Sequence, residues 1–172
     1  MVPVEAKEHP LAPTAPHAAE ADECKAIVGN PYLDFTAPRV GGGELRLSEY
    51  VGRKVVVLQF WGVRCGPCLA EMVFLSDLQR QHAEQLQVIG VNTDRAAEPQ
   101  LRQAMTSRNI VASYPLVADP TFYASKHYTQ WLVPVSVLID RKGVIRVIHT
   151  GYNAALGATL QGEIEDLLRE AR

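Results

Sequence analysis

Runs of apolar residues with two different periods predict an α/β protein. Val55 to Phe60 is apolar and β-branched apart from Gln59, which is typical of a strand covered on both faces. A helix is expected from Pro67, since proline at the first helical position loses no needed donor, to about Ala83. Leu86 to Val91 has the composition of the next strand. Strand, helix and strand in this order favour a sheet covered by helices.

The middle of the chain predicts two more helices. One is expected from about Pro99 to Arg108, preceded by the candidate N-caps Asn92, Thr93 and Asp94. A shorter helix is expected from Pro120 to about Tyr128. Together they form a helix-containing segment ahead of the next strand.

The last part of the chain has the pattern of a β-hairpin and an amphipathic helix. Val135–Ile139 and Val144–His149 are apolar runs on either side of a turn that ends in Gly143. From about Ala155 to Arg169, apolar side chains recur on one helical face, namely Leu156, Leu160, Ile164, Leu167 and Leu168. A hairpin after alternating strands and helices predicts a mixed sheet with helices on both sides.

Residues 1–30 differ from the rest of the chain in being rich in proline and alanine. With little large apolar surface to bury, they are expected to form a flexible tail before a single domain at 31–172. Such a tail suits a spacer to a membrane anchor that this chain lacks, or an ordinary frayed terminus. No basic start followed by an apolar stretch is present, so no signal peptide is expected in this sequence.

The domain is expected to begin with two short strands, Asp34–Phe35 and Leu45–Leu47, joined by a turn at Gly41–Gly43. Ser48 is then placed to cap a short helical turn that ends before Gly52. Turn-forming and capping residues are the local signals for both features.

Charge and hydropathy exclude several classes of function. Lys and Arg total 17 against 19 Asp and Glu, which gives a net charge of −2, and neither sign forms a long block. Neither nucleic acid nor an anionic membrane surface is therefore expected as the main partner. The longest apolar run, Val55 to Val63, is about half of the ~20 residues that a membrane helix needs.

Two of the three cysteines, Cys65 and Cys68, lie three positions apart at the predicted junction between a strand and a helix. Three cysteines cannot all pair within one monomer, so a redox pair with a spare thiol is favoured over a structural disulfide framework. Cys65 faces unsatisfied helix amides and the positive end of the helix dipole, which favour its thiolate. Cys65 is therefore expected to be the nucleophile, and Cys68 is expected to attack the mixed disulfide that Cys65 forms.

Other uses of the cysteine pair fit the sequence less well. Half of a zinc site would need further ligands, but Cys24 is the only other sulfur of this kind and the histidines show no paired spacing. Haem attachment requires histidine where Leu69 stands. No metal and no organic cofactor is expected.

Cys24 has no small apolar lipobox before it and is expected to be incidental, with a free thiol or an intermolecular disulfide as alternatives.

Several features together resemble the thioredoxin superfamily, and they are Phe60-Trp61, Cys65-Gly66-Pro67-Cys68, Val133-Pro134, the hairpin Ile139-Asp140…Gly143 and the terminal helix. From about residue 31 to its end, the chain is similar to the TlpA-like and ResA-like branch of AhpC/TSA-type redoxins, which includes cytochrome c maturation thioredoxins. The resemblance implies a thioredoxin fold, with an N-terminal extension and the helix-containing insertion before a cis-proline.

The resemblance also implies substrate contacts around the cysteine pair. Pro134 matches the cis-proline of the family, which leaves the backbone of Val133 free to pair with an extended substrate segment. Trp61 matches the aromatic residue beside the active-site loop, and a purely core position is the alternative. Gly66 and Pro67, between the cysteines, complete this predicted substrate-binding surface.

Three polar residues extend the motif. Glu71 matches an acidic residue of the ResA-like branch; if buried, it would have a raised pKa and exchange a proton with a thiol, whereas a solvated glutamate is the alternative. Gln59 stands where thioredoxins themselves carry a buried aspartate. Arg64 replaces a tryptophan that commonly precedes the first cysteine. It either stabilises the Cys65 thiolate and selects acidic partners, or is a solvated loop residue.

These features predict a thiol–disulfide oxidoreductase that acts on protein thiols and disulfides, as a reductase outside the cytoplasm, in cytochrome c maturation or thiol repair. A monomer, an upstream thiol electron donor and a membrane tether outside this chain complete the prediction. One alternative is a peroxiredoxin-like peroxidase, in which a threonine would stand at Gly62. The other is a non-enzymatic binding or chaperone module that uses the groove beside Pro134.

Overall fold

The computed structural model describes residues 25–170. Within this range, strands and helices alternate and then end in a hairpin and a helix, as the apolar pattern predicts. The elements are β1 Thr36–Pro38, β2 Glu44–Arg46, β3 Val55–Trp61, α1 Gly66–Gln81, β4 Leu86–Asn92, α2 Glu98–Ser107, β5 Leu116–Ala118, α3 Tyr123–Tyr128, β6 Val135–Ile139, β7 Ile145–Thr150 and α4 Ala154–Arg169.

The main sheet has five strands in the order β5-β4-β3-β6-β7, and the short hairpin of β1 and β2 forms a second sheet. β3 lies at the centre, where it pairs parallel with β4 and antiparallel with β6. β5 adds parallel to β4, and β7 adds antiparallel to β6. The predicted mixed sheet is thus confirmed, and its fully buried central strand explains why this segment of the sequence is apolar apart from Gln59.

Apolar side chains form one core on each face of the main sheet. Helices α1, α2 and α4 cover the first face, where Leu75, Leu101 and Ile164 pack against inward residues of β3 and β4. Helix α3 and the β1–β2 hairpin cover the second face, through residues such as Ala124 and Leu45. β3 is buried along its whole length, and the loop that follows its last residue, Trp61, reaches the surface.

Two predicted helix caps are wrong. Ser48 lies inside a 3-10 helix, Leu47–Glu49, that follows Arg46, and its backbone N–H donates to Asp34 at 3.0 Å. Helix α2 begins after Ala97, which provides no side-chain cap. The expected caps Asn92, Thr93 and Asp94 instead lie at the end of β4 and in the loop after it, where their polar groups bond to the end of β3 and to each other.

The first described residues already belong to the domain. The backbone N–H of Ala26 donates to His127 at 2.8 Å, and that of Gly29 donates to Ile145 at 2.8 Å. Asn30 accepts from Ile145 at 2.9 Å, which makes a second bond to the sheet edge. Residues 26–30 are therefore held against the domain, before the predicted boundary at 31. Residues 1–24, which include Cys24, lie outside the described residues.

Candidate active site

The two cysteines lie where β3 ends and α1 begins, and a disulfide bond joins them. Their Cα atoms are 5.2 Å apart. Cys65 is the N-cap of α1, and its Sγ accepts a hydrogen bond of 3.2 Å from the backbone N–H of Cys68. Cys65 is partly exposed, whereas Cys68 is fully buried. Only Cys65 can therefore meet a partner first, and helix amides stand ready to stabilise a thiolate there.

Gln59 connects the buried cysteine to an acidic residue. Its side-chain Nε2 donates to the backbone oxygen of Cys68 at 2.9 Å and to Oε2 of Glu71 at 3.1 Å. Gln59 and Glu71 are both buried, with 0% and 1% of their surface exposed. The alternative of a solvated Glu71 is therefore wrong. The amide of Gln59 occupies the space behind the cysteine pair and ties Glu71 to the first turn of α1.

Two further residues complete this network, and neither was predicted from the sequence. Ser136 in β6 donates to Oε1 of Glu71 at 2.5 Å, and Tyr114 donates to Oε1 of Gln59 at 2.7 Å. The hydroxyl of Tyr114 fixes the orientation of the Gln59 amide, because it supplies a donor to the oxygen and leaves the nitrogen to face Glu71. The polar Ser136 inside the otherwise apolar strand Val135–Ile139 was the available signal.

Burial raises the pKa of the Glu71 carboxyl above its ordinary value. Hydrogen bonds from Ser136 and Gln59 and the charge of His149 lower this pKa, but the net shift remains upward. His149 lies directly across from Ser136 in the β6–β7 register and pairs with Glu163 at 2.6 Å. Glu71 is thus a carboxyl held in place by two donors, with a raised affinity for a proton.

The predicted substrate-binding residues divide between the surface and the core. Arg64, Gly66 and Pro67 are exposed around Cys65. Trp61 is fully buried beneath the loop, which is the core position considered as its alternative. The prediction that its side chain contacts substrate is therefore wrong for the disulfide form. It supports the loop from below as the last residue of β3.

Val133 and Pro134 approach the same loop from the other side. The peptide bond between them is cis. Phe60 pairs with Val135 in the antiparallel β3–β6 register, so Pro134 comes beside the end of β3, from which the cysteine loop departs. Val133 is 37% exposed. The strand register therefore brings Cys65 and this dipeptide to one edge of the sheet.

Neither a metal cluster nor a membrane span appears in the described part of the chain. Within residues 25–170, His, Cys, Asp and Glu side chains form no group of three or more that could hold a metal ion. None of the helices in this range has both the length and the apolar character needed to cross a bilayer.

The model of the AhpC/TSA family matches residues 28–148. The thiol-disulfide oxidoreductase ResA of Geobacillus kaustophilus is 33% identical over 131 residues, which cover 76% of this chain and 73% of that protein. The thioredoxin-like protein YneN of Bacillus subtilis is 30% identical over 123 residues, which cover 72% of this chain and 71% of that protein.

A solved structure of a thiol:disulfide interchange protein also matches this chain. The crystal structure described as a thiol:disulfide interchange protein DsbE from Chlorobium tepidum superimposes with a TM-score of 0.75 at 28% sequence identity. The match covers 84% of this chain and 99% of that one.

Proposed function

This chain belongs to the AhpC/TSA family, and on that premise we propose that it reduces disulfide bonds of other proteins outside the cytoplasm through Cys65 and Cys68. It is a thiol–disulfide oxidoreductase of the ResA and DsbE type with a thioredoxin-like fold. The observation that carries the proposal is the disulfide at the start of α1, which joins a partly exposed Cys65 to a buried Cys68.

The reaction starts from the reduced pair. The Cys65 thiolate attacks one sulfur of the substrate disulfide, a Cys65–substrate bond forms, and the other substrate sulfur leaves as a thiolate. Cys68 then loses its proton and attacks Cys65 Sγ, which forms the Cys65–Cys68 disulfide and releases the second substrate thiolate. Two electrons pass from the pair to the substrate. A dithiol donor returns the pair to the reduced state by the reverse exchange.

Glu71 is the proposed acceptor of the Cys68 proton. Cys68 is buried, so its thiol cannot simply lose a proton to bulk water. Glu71 lies one turn further along α1, and Gln59 links it to the Cys68 backbone. A carboxyl with a raised pKa accepts a proton more readily than an ordinary one and can return it in the reverse exchange.

Val133 and Pro134 are the proposed contacts for the substrate backbone, together with Gly66 and Pro67 on the cysteine loop. The exposed edge before β6 can pair with an extended segment by strand addition. Arg64 is exposed next to Cys65 and is proposed to favour the thiolate and acidic partners.

The proposed setting is the cell envelope, with cytochrome c maturation or thiol repair as the process. Relatives named ResA and a neighbour named DsbE support this choice. A membrane tether and an upstream thiol donor belong to the same proposal, as does a monomeric state.

The equilibrium redox potential of the pair tests the direction of electron flow. The chain is titrated against glutathione and dithiothreitol, with thiol alkylation as the readout. A value closer to about −270 mV than to about −120 mV is expected for a reductase. A value near the oxidising end would overturn that direction, and failure to form a reversible Cys65–Cys68 disulfide would overturn the proposed reaction.

Location is tested separately in intact cells. A membrane-impermeant thiol reagent should label Cys65 in the native host without lysis, and a cytoplasmic thiol protein serves as the control. Labelling that appears only after lysis would overturn the extracytoplasmic assignment.

The peroxidase alternative predicts peroxide consumption by the purified chain. A β-carbon at Gly62 would lie 3.1 Å from Oδ1 of Asp94, so a threonine at this position would require Asp94 to move. Asp94 already accepts from the Val63 backbone N–H at 2.9 Å, which opposes such a movement.

A further inference from the structure

Three consecutive apolar residues are exposed directly before Pro134. Trp131 has 67% of its surface exposed, Leu132 54% and Val133 37%. Single exposed apolar residues are ordinary on protein surfaces, but a contiguous apolar patch beside a reactive group is a mark of a binding surface.

Trp131 is held in place by a stack of side chains. Its ring lies 4.3 Å from that of the buried Phe122, with 21° between the two planes. The guanidinium of Arg95 lies over both rings, 4.6 Å from the Phe122 centroid and 5.4 Å from the Trp131 centroid. Cation–π contacts and ring stacking stabilise this arrangement, so the outer face of Trp131 is presented to solvent in a fixed orientation.

The backbone supports the same conclusion. Arg95, Phe122 and Trp131 all have positive φ angles, of 58°, 61° and 72°. Residues with a β-carbon seldom adopt this left-handed region, and the surrounding structure must hold them there. Three such residues from three separate loops meet in one stack, which makes the stack a built feature of this edge of the sheet.

The stack adjoins the cysteine loop. The Val63 backbone N–H donates to Asp94 at 2.9 Å and so joins the loop before Cys65 to the loop after β4. The next residue in each loop is an exposed arginine, Arg64 in one and Arg95 in the other. The two hydrogen-bonded loops beside Cys65 therefore each carry an exposed cationic side chain.

These two charges lack acidic partners within the described residues. In the range 25–170, neither Arg64 nor Arg95 makes an ion pair. The carboxylate of Asp94, the nearest acidic residue in sequence to Arg95, accepts from Val63 and from the Asn92 side chain. An incoming carboxylate would complement the two arginines.

We propose that Arg95 and Trp131 form a docking surface for the substrate segment that flanks the reacting disulfide, and that this surface selects an acidic residue next to an aromatic or apolar one. The aromatic side chain packs on the outer face of Trp131, while the carboxylate pairs with Arg95. The proposal rests on the proposed function, since it requires a polypeptide disulfide as substrate, and it adds which sequences are reduced fastest.

Three synthetic peptides test this selectivity. Each carries one intramolecular disulfide, and the two residues beside one cysteine are Asp-Phe, Lys-Phe or Asp-Ser. Initial reduction rates give kcat/KM for each peptide with the reduced full chain. Hydroxyethyl disulfide, a small uncharged substrate, reports the cysteine chemistry without a docked segment. The Asp-Phe peptide should be reduced about fivefold faster than the Lys-Phe peptide and about tenfold faster than the Asp-Ser peptide.

Variants at two positions separate the contributions of the charge and of the aromatic ring. Arg95→Gln should remove most of the preference for Asp over Lys and keep the preference for Phe over Ser. Trp131→Ala should remove most of the preference for Phe over Ser and keep the preference for Asp over Lys. Trp131→Phe should retain part of the preference for Phe over Ser. The wild-type preference for Asp should also weaken as salt rises, because the pair is exposed. Arg108→Gln and Tyr123→Ala alter an exposed arginine and an exposed tyrosine outside the stack, and both should keep the wild-type preferences.

The outcomes are distinct. If the wild-type chain reduces neither hydroxyethyl disulfide nor any peptide, the proposed function itself is wrong. If it reduces all three peptides at equal rates, or if each variant slows all substrates by the same factor, the docking surface is wrong while the function stands. Thermal unfolding of each variant shows whether it is folded, and the milder Trp131→Phe and Arg95→Gln variants keep the test decisive if Trp131→Ala unfolds.

Discussion

The hydroxyl of Ser136 donates a hydrogen bond of 2.5 Å to Oε1 of Glu71 and so joins the sheet to helix α1 behind the cysteine pair. Both residues are buried. With Gln59 donating to the other carboxylate oxygen, Glu71 has one side-chain donor on each oxygen. The protonation state of Glu71 therefore depends on two neighbours that lie on two different strands.

Removal of the Ser136 hydroxyl should raise the pKa of Glu71 further. Ser136→Ala deletes a donor to the charged form, so the pH midpoint of Cys68 attack on the mixed disulfide should move upward. A stability loss of about 1–3 kcal/mol is also expected, since the buried carboxyl loses a partner. The midpoint is measured by stopped-flow thiol release across pH. Ser107→Ala, at an exposed serine of α2, is the control, and an unmoved midpoint in Ser136→Ala would contradict the assignment.

Glu71 should make the folded state less stable as pH rises. Because its pKa is raised in the folded state, the native chain binds more protons than the unfolded chain between the ordinary and the raised value. The stabilisation that Glu71 contributes is thus complete below its ordinary pKa. It falls between the ordinary and the raised pKa, and it is lost above the raised pKa. Glu71→Gln should flatten this part of the curve of unfolding free energy against pH. Glu84→Gln, an exposed glutamate, should keep the wild-type slope.

Replacement of the resolving cysteine should trap the substrate. In Cys68→Ser, the Cys65–substrate disulfide forms but lacks its intramolecular attacker, so a nearly stoichiometric adduct should accumulate. Mass spectrometry without reductant detects it. Cys65→Ser should form no such adduct, and Cys24→Ser should behave like the wild-type chain. A stable adduct on Cys65→Ser would reverse the assigned roles of the two cysteines.

Gly90 should not tolerate a side chain. A β-carbon there would lie 2.3 Å from Cδ2 of Leu116 and 3.3 Å from Cε2 of Tyr114, inside a packed core. Gly90→Ala is expected to cost about 1–3 kcal/mol of stability, measured by urea unfolding. Gly162→Ala, in an open position of α4, should instead stabilise the chain by about 0.5–1 kcal/mol. The same sign for both substitutions would contradict this packing.

The hydroxyl of Tyr128 should stabilise the fold, because it binds the backbone of Leu33 in the segment before β1. It donates to the backbone oxygen of Leu33 and accepts from the backbone N–H of the same residue, both at 2.7 Å. Tyr128→Phe leaves two backbone groups without this partner and should cost about 1–3 kcal/mol in thermal or urea unfolding. Tyr123→Phe, at a half-exposed tyrosine, should change stability by less than about 0.5 kcal/mol.

The elements that the sequence predicts best are those with a strong local pattern. The apolar run at Val55 and the proline at Pro67 place β3 and α1 to within a few residues, because burial on both faces and the N1 preference for proline are local effects. The predicted caps of α2 failed for the opposite reason. Asp94 is a good N-cap by type, but a tertiary hydrogen bond from Val63 and a local one from Asn92 engage its carboxylate.

The cysteine pair and its place at a helix start follow from the order of residues alone, since four consecutive positions and a helix signal suffice to predict redox chemistry. The surroundings of the pair do not follow from it. Glu71 meets Ser136, and Arg95 meets Trp131, because strand register brings distant segments to one edge of the sheet. Local periodicity carries no information on that register, so the burial of the carboxyl and the form of the exposed stack emerge only when the chain is folded.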